Sequence, residues 1–167
     1  MLPPKLILSP IDFSEHSSSA LDVAAGMASR VGAELLLVHV VPAIPDLPTS
    51  VSILKEGEYE NTLHDTAVQR LAELADGLAK KNLKVRSEVG TANDVGMELV
   101  RIAEHNHVDL IIIATHGMTG WREIAFGSVA EEVVKNAGCA VLILRAKAAS
   151  DAADQDKTAS AAAPAAH

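Results

Sequence analysis

Two kinds of apolar pattern alternate along the chain. The first consists of short runs of mostly branched apolar residues at positions 6–11, 35–41, 85–89, 110–114 and 141–144. Four of these runs are apolar at consecutive positions, which is typical of strands covered on both faces of a sheet. The run at 85–89 alternates with Arg86 and Glu88, and this alternation predicts an edge strand.

Between the runs, apolar residues recur every three or four positions, as on one face of a helix. The four stripes are Leu21, Ala24, Ala28 and Val31; Val68, Leu71, Leu74, Ala75 and Leu78; Val95, Leu99, Ile102 and Ala103; and Val129, Val133 and Ala137. Residues that favour helix starts precede the first stripe (Ser14) and the third (Thr91 or Asn93). Residues that favour helix ends follow the first, second and fourth stripes: Gly32, Asn82 and Gly138.

This order of elements predicts an α/β fold. We expect a single doubly wound, five-stranded parallel sheet of Rossmann-like type, with strand order 3-2-1-4-5 and helices on both faces. Residues 1–146 would form the domain. Residues 42–60 contain three prolines and predict a long loop, with a short helix near its end as an option. Residues 147–167 are rich in alanine without an apolar stripe, so we expect a disordered tail.

Composition narrows the class of protein. Of 167 residues, 49% are hydrophobic and 22% charged, with a formal net charge of -8, which disfavours non-specific binding to nucleic acid. The single cysteine, Cys139, cannot form an internal disulfide and is expected to be buried and inert. We find no signal-peptide pattern at the N-terminus and no apolar stretch of about 18 residues. A cytoplasmic protein that does not interact with membranes is expected.

Candidate chemistry lies just after the strands, because ligands of open parallel sheets bind beyond the strands' carboxyl ends. Asp12 follows the first strand, where its carboxylate could accept hydrogen bonds from a ligand amine or cap the next helix. Val40 lies near the end of the second strand, where its backbone could meet the edge of a flat ring. Neither position is a specific signal by itself.

The segment after the fourth strand carries a stronger pattern. Gly117 and Gly120 allow the backbone to approach a ligand closely. Gly127 and Ser128 then open the last helix, whose free N–H groups and dipole could cradle a phosphate. The alternative is that these two residues only cap the helix. The spacing matches neither the Gly-Lys-Ser loop nor the dinucleotide Gly-x-Gly-x-x-Gly pattern.

Three stretches together resemble the universal stress protein family: Ile7 to Glu15, Leu37 to Val40, and the loop ending in Gly127-Ser128-Val129-Ala130-Glu131. The resemblance covers roughly residues 5–146. The family's ATP-binding branch has a glycine, two residues, a second glycine, nine residues, then glycine and Ser or Thr. Gly117 and Gly127-Ser128 match this motif, whereas Ala114 replaces the first glycine. The resemblance implies an adenine nucleotide alpha hydrolase-like sheet that binds ATP, with or without Mg²⁺.

The resemblance also implies roles for individual residues. Asp12 and the backbone of Val40 would hold the adenine, and Pro10 and Ile11 would form an apolar wall beside it. Ala114 and Gly117 would line the ribose and phosphates. The phosphates would bind at the helix start, which comprises Gly127, Ser128 and Val129. The full set of expected nucleotide-binding residues also includes Ile113 and His116.

Other polar residues have less specific patterns. His105 and His107 lie close together, but no further histidine or cysteine pair has ligand spacing, so no metal site is expected. His116 could touch a phosphate, carry a proton or simply be solvated. Arg122 could neutralise a phosphate, pair with Glu123 or point into water. Trp121 could be a lid or contact residue, an idea that rests only on its position in the loop.

The last strand, from Val141 to Leu144, would lie apolar and uncharged at the edge of the sheet. Such an edge aggregates unless something pairs with it, and a twofold homodimer that pairs the strand with its own copy meets this need. The family resemblance implies the same arrangement. The leading hypothesis is thus a homodimeric, ATP-binding regulatory module of the stress response. A slow ATPase and a nucleotide-free dimeric scaffold are the alternatives.

Overall fold

Strands and helices alternate from one end of the described chain to the other. The computed structural model describes residues 3–43, 53–115 and 127–145, and only the backbone of residues 53–60. The elements are β1 (Leu6–Pro10), α1 (Glu15–Val31), β2 (Glu34–Pro42), α2 (Ile53–Ala79), β3 (Lys84–Ala92), α3 (Val95–His105), β4 (Leu110–Thr115), α4 (Ser128–Asn136) and β5 (Ala140–Arg145).

The five strands form one parallel sheet in the order β3-β2-β1-β4-β5, which confirms the predicted fold and strand order. β1 pairs with β2 on one side, where Ile7 lies beside Leu35, and with β4 on the other, where Ile7 lies beside Leu110. After β3 the chain returns past β2 and β1 to form β4, so the strand order reverses between β1 and β4. In folds of this kind, that reversal opens a crevice at the carboxyl ends of the two strands.

Two apolar cores lie on opposite faces of the sheet. Leu8, Leu36 and Ile111 pack with residues of α3 and α4 on one face. Ile7, Leu35 and Ile112 pack with residues of α1 and α2 on the other. The three central strands are thus buried on both faces, for which their consecutive apolar residues are required. The alternating strand β3 lies at the edge, as predicted.

Three of the five predicted helix boundaries hold, and the predicted start of α3 is wrong. Ser14 caps α1 by accepting a hydrogen bond from the Ser17 N–H, and Gly32 ends that helix with a φ of 71°. Asn82 follows α2 with a φ of 62°. Helix α3 is capped by Asp94, which accepts from the Met97 N–H, and not by Asn93 or Thr91, because β3 continues through Ala92.

The end of α4 and the span of α2 also differ from expectation. Helix α4 ends at Asn136, and Ala137, in an extended conformation, caps it ahead of Gly138. Residues 42–60, predicted as a long loop, are largely not one where the structure describes them. Pro42 ends β2, and residues 53–60 form the start of α2. Residues 44–52 lie outside the described residues. Val31 and Val68, which the stripes placed in the core, are 40% and 43% exposed, since each lies at the margin of its helix's buried face.

No described helix is long and apolar enough to cross a membrane. The predicted tail, 147–167, and the loop residues 116–126 lie outside the described residues.

Candidate nucleotide-binding site

A cleft of about 260 Å³ opens at the carboxyl ends of β1, β2 and β4, at the point where the strand order reverses. Nine of the eleven residues predicted from the sequence line it: Pro10, Ile11, Asp12, Val40, Ile113, Ala114, Gly127, Ser128 and Val129. The other two, His116 and Gly117, lie outside the described residues. Four separate stretches of chain are thus brought together around one space.

The turn from β1 into α1 places Asp12 on the cleft. Its Oδ1 accepts a hydrogen bond from the Ser14 N–H at 2.9 Å, and Ser14 in turn caps the helix. The capping role considered for Asp12 therefore belongs to Ser14, and Asp12 holds the turn that precedes the cap. Between them, Phe13 has a φ of 63°, a left-handed conformation that is costly for a bulky side chain.

The end of β2 presents backbone groups to the cleft. The Ile11 N–H donates to the Val38 carbonyl at 2.7 Å, so the peptide groups of Val38 point towards β1. Alternate residues of a strand direct their N–H and C=O to the same edge, and those of Val40 therefore point the same way. β1 ends at Pro10, and the peptide groups of Val40 face the space that it vacates.

His39 is a residue of this cleft whose role the sequence reasoning missed. Its Nδ1 lies 2.6 Å from the Ile11 carbonyl oxygen. Because a carbonyl oxygen only accepts, Nδ1 carries the proton and donates. The half-buried imidazole also contacts the Phe13 ring at a centroid distance of 4.8 Å, and the Arg70 guanidinium lies 3.8 Å from the centroid of that ring. No local sequence pattern marks this contact, because it depends on how the residues after β1 lie beside β2.

The start of α4 forms another part of the lining. Gly127 is the N-cap residue of α4, and because it has no side chain it cannot accept a hydrogen bond from the first turn. A Cβ atom built on Gly127 would meet no protein atom within 4 Å, so packing within the described chain does not require glycine here. The first N–H groups of a helix have no partner within the helix, and those of α4 bond to no other residue that the structure describes.

The electrostatics of the lining are simple. Among the described residues that line the cleft, none is Lys or Arg, and Asp12 is the single carboxylate. With no Lys or Arg in this lining, an anion bound by the described chain would rely on backbone N–H groups, the dipole of α4 and side-chain donors such as the Ser128 hydroxyl. Val95 and Leu99 of α3 add apolar surface, a contribution that their stripe could not distinguish from ordinary core packing.

The remaining candidates do not add to the cleft. Cys139 is half-buried, and this burial raises the pKa of its thiol, so the thiolate form is disfavoured at neutral pH. His105 lies in the last turn of α3 and His107 has a φ of 54° just beyond it. Among the residues whose positions are described, no three His, Cys, Asp or Glu side chains cluster as metal ligands.

Comparison with known proteins places this geometry in context. Residues 4–145 match the model of the universal stress protein family. A universal stress protein of Methanocaldococcus jannaschii is 32% identical over 155 residues, covering 86% of this chain and 96% of the relative. The solved structure of that archaeal protein has a TM-score of 0.65 at 29% identity and covers 89% of this chain and 100% of the other.

Two further solved structures share the fold. A universal stress protein from Lactobacillus plantarum has a TM-score of 0.70 at 23% identity, covering 84% of this chain and 97% of its own. One from Archaeoglobus fulgidus, solved in complex with dAMP, has a TM-score of 0.58 at 19% identity, covering 86% and 98%. The family match over 4–145 and the 32% identical relative establish that this chain belongs to the universal stress protein family.

Proposed function

We propose that this chain binds ATP in the cleft and acts as a homodimeric regulatory module of the stress response. The observation that carries the proposal is the meeting of three kinds of group in one space: the Asp12 carboxylate, the peptide groups of Val40 and the N-terminus of α4. A carboxylate and a peptide edge suit the amine and ring nitrogens of adenine. A helix N-terminus suits phosphates.

The roles of the lining residues follow from this placement. Asp12 and Val40 hold the base, and Pro10 and Ile11 form an apolar wall beside it. Ile113 and Ala114, at the end of β4, line the ribose. The α4 start binds phosphates through Gly127, Ser128 and Val129, and the undescribed His116 and Gly117 complete the set. The dAMP bound by the Archaeoglobus fulgidus protein supports an adenine nucleotide as the ligand class.

Ala114 departs from the glycine of the ATP-binding motif, and the residues still fit a nucleotide. Alanine adds one methyl group and tolerates ordinary strand geometry. Ala114 remains part of β4, paired with Leu144 of β5, so the position does not need a left-handed backbone. We expect the methyl group to weaken binding without preventing it.

A regulatory role is favoured over catalysis by the lining itself. Hydrolysis of a phosphoanhydride needs a group that orients the attacking water, and usually a metal ion. Among the described lining residues, Asp12 is the single carboxylate, and it is held at the base end by its hydrogen bond to Ser14. With one cysteine and therefore no internal disulfide, the protein suits the reducing cytoplasm.

The homodimer is supported by the contrast between the two sheet edges. β3 carries Lys84, Arg86 and Glu88, charges that discourage a second strand from pairing there. β5 carries only apolar side chains from Val141 to Leu144, all partly exposed. A second copy of β5 would cover this edge, and in a twofold arrangement it would do so for both subunits at once.

Mass spectrometry of the ligand extracted from purified protein, followed by calorimetric titration with ATP in the presence and absence of Mg²⁺, tests the nucleotide. We expect binding in the wild type and a loss of at least about 100-fold in Gly127→Val. That variant should keep its fold, because a Cβ at this position meets no described protein atom within 4 Å. Gly77→Ala, at an exposed helical glycine with equally open space, is the matched control and should bind normally.

Binding heat that is the same in Gly127→Val and in the wild type would place the phosphates elsewhere. No extracted nucleotide and no binding heat would refute ATP as the ligand. Sedimentation equilibrium tests the dimer separately: Leu144→Lys should dissociate it, whereas Val68→Lys, at an exposed valine of α2, should not. A monomeric wild type would exclude pairing through β5.

A further inference from the structure

A regular strand ladder would leave no free N–H at Val40. In parallel pairing, a residue that donates to position j−1 of its neighbour accepts from position j+1. Ile11 donates to the Val38 carbonyl, so its own carbonyl should accept from the Val40 N–H. In the structure the Ile11 carbonyl accepts from the His39 Nδ1–H at 2.6 Å. No backbone hydrogen bond joins Val40 to Ile11 within the described residues.

We propose that His39 is the positioning residue of the base site. Its imidazole occupies the Ile11 carbonyl, which would accept from Val40 in a regular ladder, and so leaves the Val40 N–H directed at the ligand. This inference rests on the proposed nucleotide function. The side chain of His39 projects on the same face as the side chains of Leu35 and Leu37, towards Phe13. Its Nδ1 lies at the edge of β2 that faces Ile11, where the Val40 N–H would otherwise bond.

The same hydrogen bond also sets the position of Asp12. Ile11 is held through both of its peptide groups by two successive residues of β2, the Val38 carbonyl and the His39 imidazole. Asp12 is the next residue, so the distance between its carboxylate and the Val40 backbone depends on this pair of bonds. One imidazole therefore links the two groups that would read the base.

Phe13 and Arg70 hold the imidazole in this orientation. The Phe13 ring lies against His39 with an interplanar angle of 41°, and the Arg70 guanidinium stacks 3.8 Å from the centre of the Phe13 ring. Phe13 has a left-handed backbone, with a φ of 63°, and its ring contacts both His39 and Arg70. Strained backbones of bulky residues persist where surrounding contacts fix them, and here the contacts come from β2 and α2.

The experiment combines nuclear magnetic resonance with binding. In the isotope-labelled wild type without ligand, we expect a protonated His39 Nδ1 and no trans-hydrogen-bond scalar coupling between the Val40 nitrogen and the Ile11 carbonyl carbon. In His39→Ala that coupling should appear, as the ladder closes, and ATP affinity should fall roughly three- to tenfold, the loss expected for one hydrogen bond.

Two variants separate positioning from general stability. His39→Asn places an amide N–H at the same number of bonds from Cβ, so it should keep the Val40 N–H uncoupled and restore most of the affinity. The same alanine substitution at the exposed His105 should change neither measurement. A merely structural histidine would lower stability without creating the Val40–Ile11 coupling.

The outcomes distinguish the two proposals. A Val40–Ile11 coupling already present in the wild type overturns the role of His39, as does unchanged ATP affinity in His39→Ala. A wild type that binds no nucleotide removes the proposed function and this inference together. ATP binding that His39→Ala leaves intact removes this inference alone.

Discussion

The carboxylate of Asp12 accepts a hydrogen bond from the Ser14 N–H at 2.9 Å across the turn that joins β1 to α1. The group expected to hold the base therefore also shapes the backbone on which it sits. Asp12→Asn retains an oxygen that can accept this bond but removes the charge, whereas Asp12→Ala removes both. We expect the free energy of unfolding to fall by about 1 kcal/mol or less in the alanine variant and to stay near the wild-type value in Asp12→Asn.

Urea unfolding monitored by circular dichroism measures this difference, and calorimetry with ATP measures the binding loss expected in both variants. Equal destabilisation of the two variants would show that the charge, and not the hydrogen bond to Ser14, is what holds the turn.

Ser14 is the N-cap of α1, where its Oγ accepts from the Ser17 N–H at 3.2 Å. Ser14→Ala leaves that N–H without its partner and should lower the free energy of unfolding by about 1 kcal/mol. The matched control is Ser19→Ala, whose hydroxyl only bonds back to the Glu15 carbonyl within the helix. This control should be neutral or slightly stabilising, because alanine favours the helix interior. Thermal and urea unfolding measure the stability of both variants. An equal loss in Ser14→Ala and Ser19→Ala would contradict the prediction.

Gly96 and Gly77 should respond to alanine with opposite signs. A Cβ on Gly96 would lie 2.8 Å from the Glu132 Cβ, so α3 and α4 would have to separate. We expect this overpacking to cost about 1–3 kcal/mol. Gly77 lies exposed near the end of α2 with open space around a Cβ, and alanine there should stabilise the protein by about 0.5–1 kcal/mol. Urea unfolding measures both, and stabilisation by Gly96→Ala would refute the close approach of the two helices.

Asp109 makes stability depend on pH. Its Oδ2 accepts from the Lys5 and Leu6 N–H groups at 2.7 and 3.0 Å, and these backbone hydrogen bonds lower the pKa of its carboxyl. A lowered folded-state pKa gives stability that is fully present above the unfolded-state value, about 3.9. That stability is lost as the pH falls through the folded-state value.

The stability difference between wild type and Asp109→Asn should therefore be constant above about pH 5 and shrink as the pH falls below about 4. Urea unfolding at a series of pH values measures it. A difference that persists unchanged in acid would mean that the Asp109 charge contributes nothing at this strand end.

The sheet could be predicted from the sequence because each central strand contains consecutive apolar residues, the pattern that burial on both faces requires. Ile7 and Leu8 are both fully buried, on opposite faces, and only a strand covered on both sides can bury two consecutive residues. Helix margins were less predictable. Val31 and Val68 satisfy a helical period yet lie exposed, because the width of a buried stripe depends on the neighbouring element.

Local signals also failed where two elements compete for the same residues. Thr91 and Asn93 both resemble helix caps, but Thr91 pairs with Val41 in the sheet, and Asp94 caps α3. Strand pairing between distant segments decided that boundary. A run of polar residues with several cap formers cannot show by itself which one the sheet leaves free.

The amino-acid sequence alone determined the order of elements, the five-stranded parallel sheet and the family, because periodicity and motif are properties of neighbouring residues. It also indicated Asp12, Val40 and Gly127 through their positions near strand ends or before a helix. Only the tertiary structure decided that β1 stops at Pro10 while β2 continues to Pro42, and that His39 takes the carbonyl of Ile11. Those features depend on how segments far apart in the chain lie beside each other, as Ile11 and His39 do at a separation of 28 residues. This long-range register fixes which backbone groups remain for a ligand.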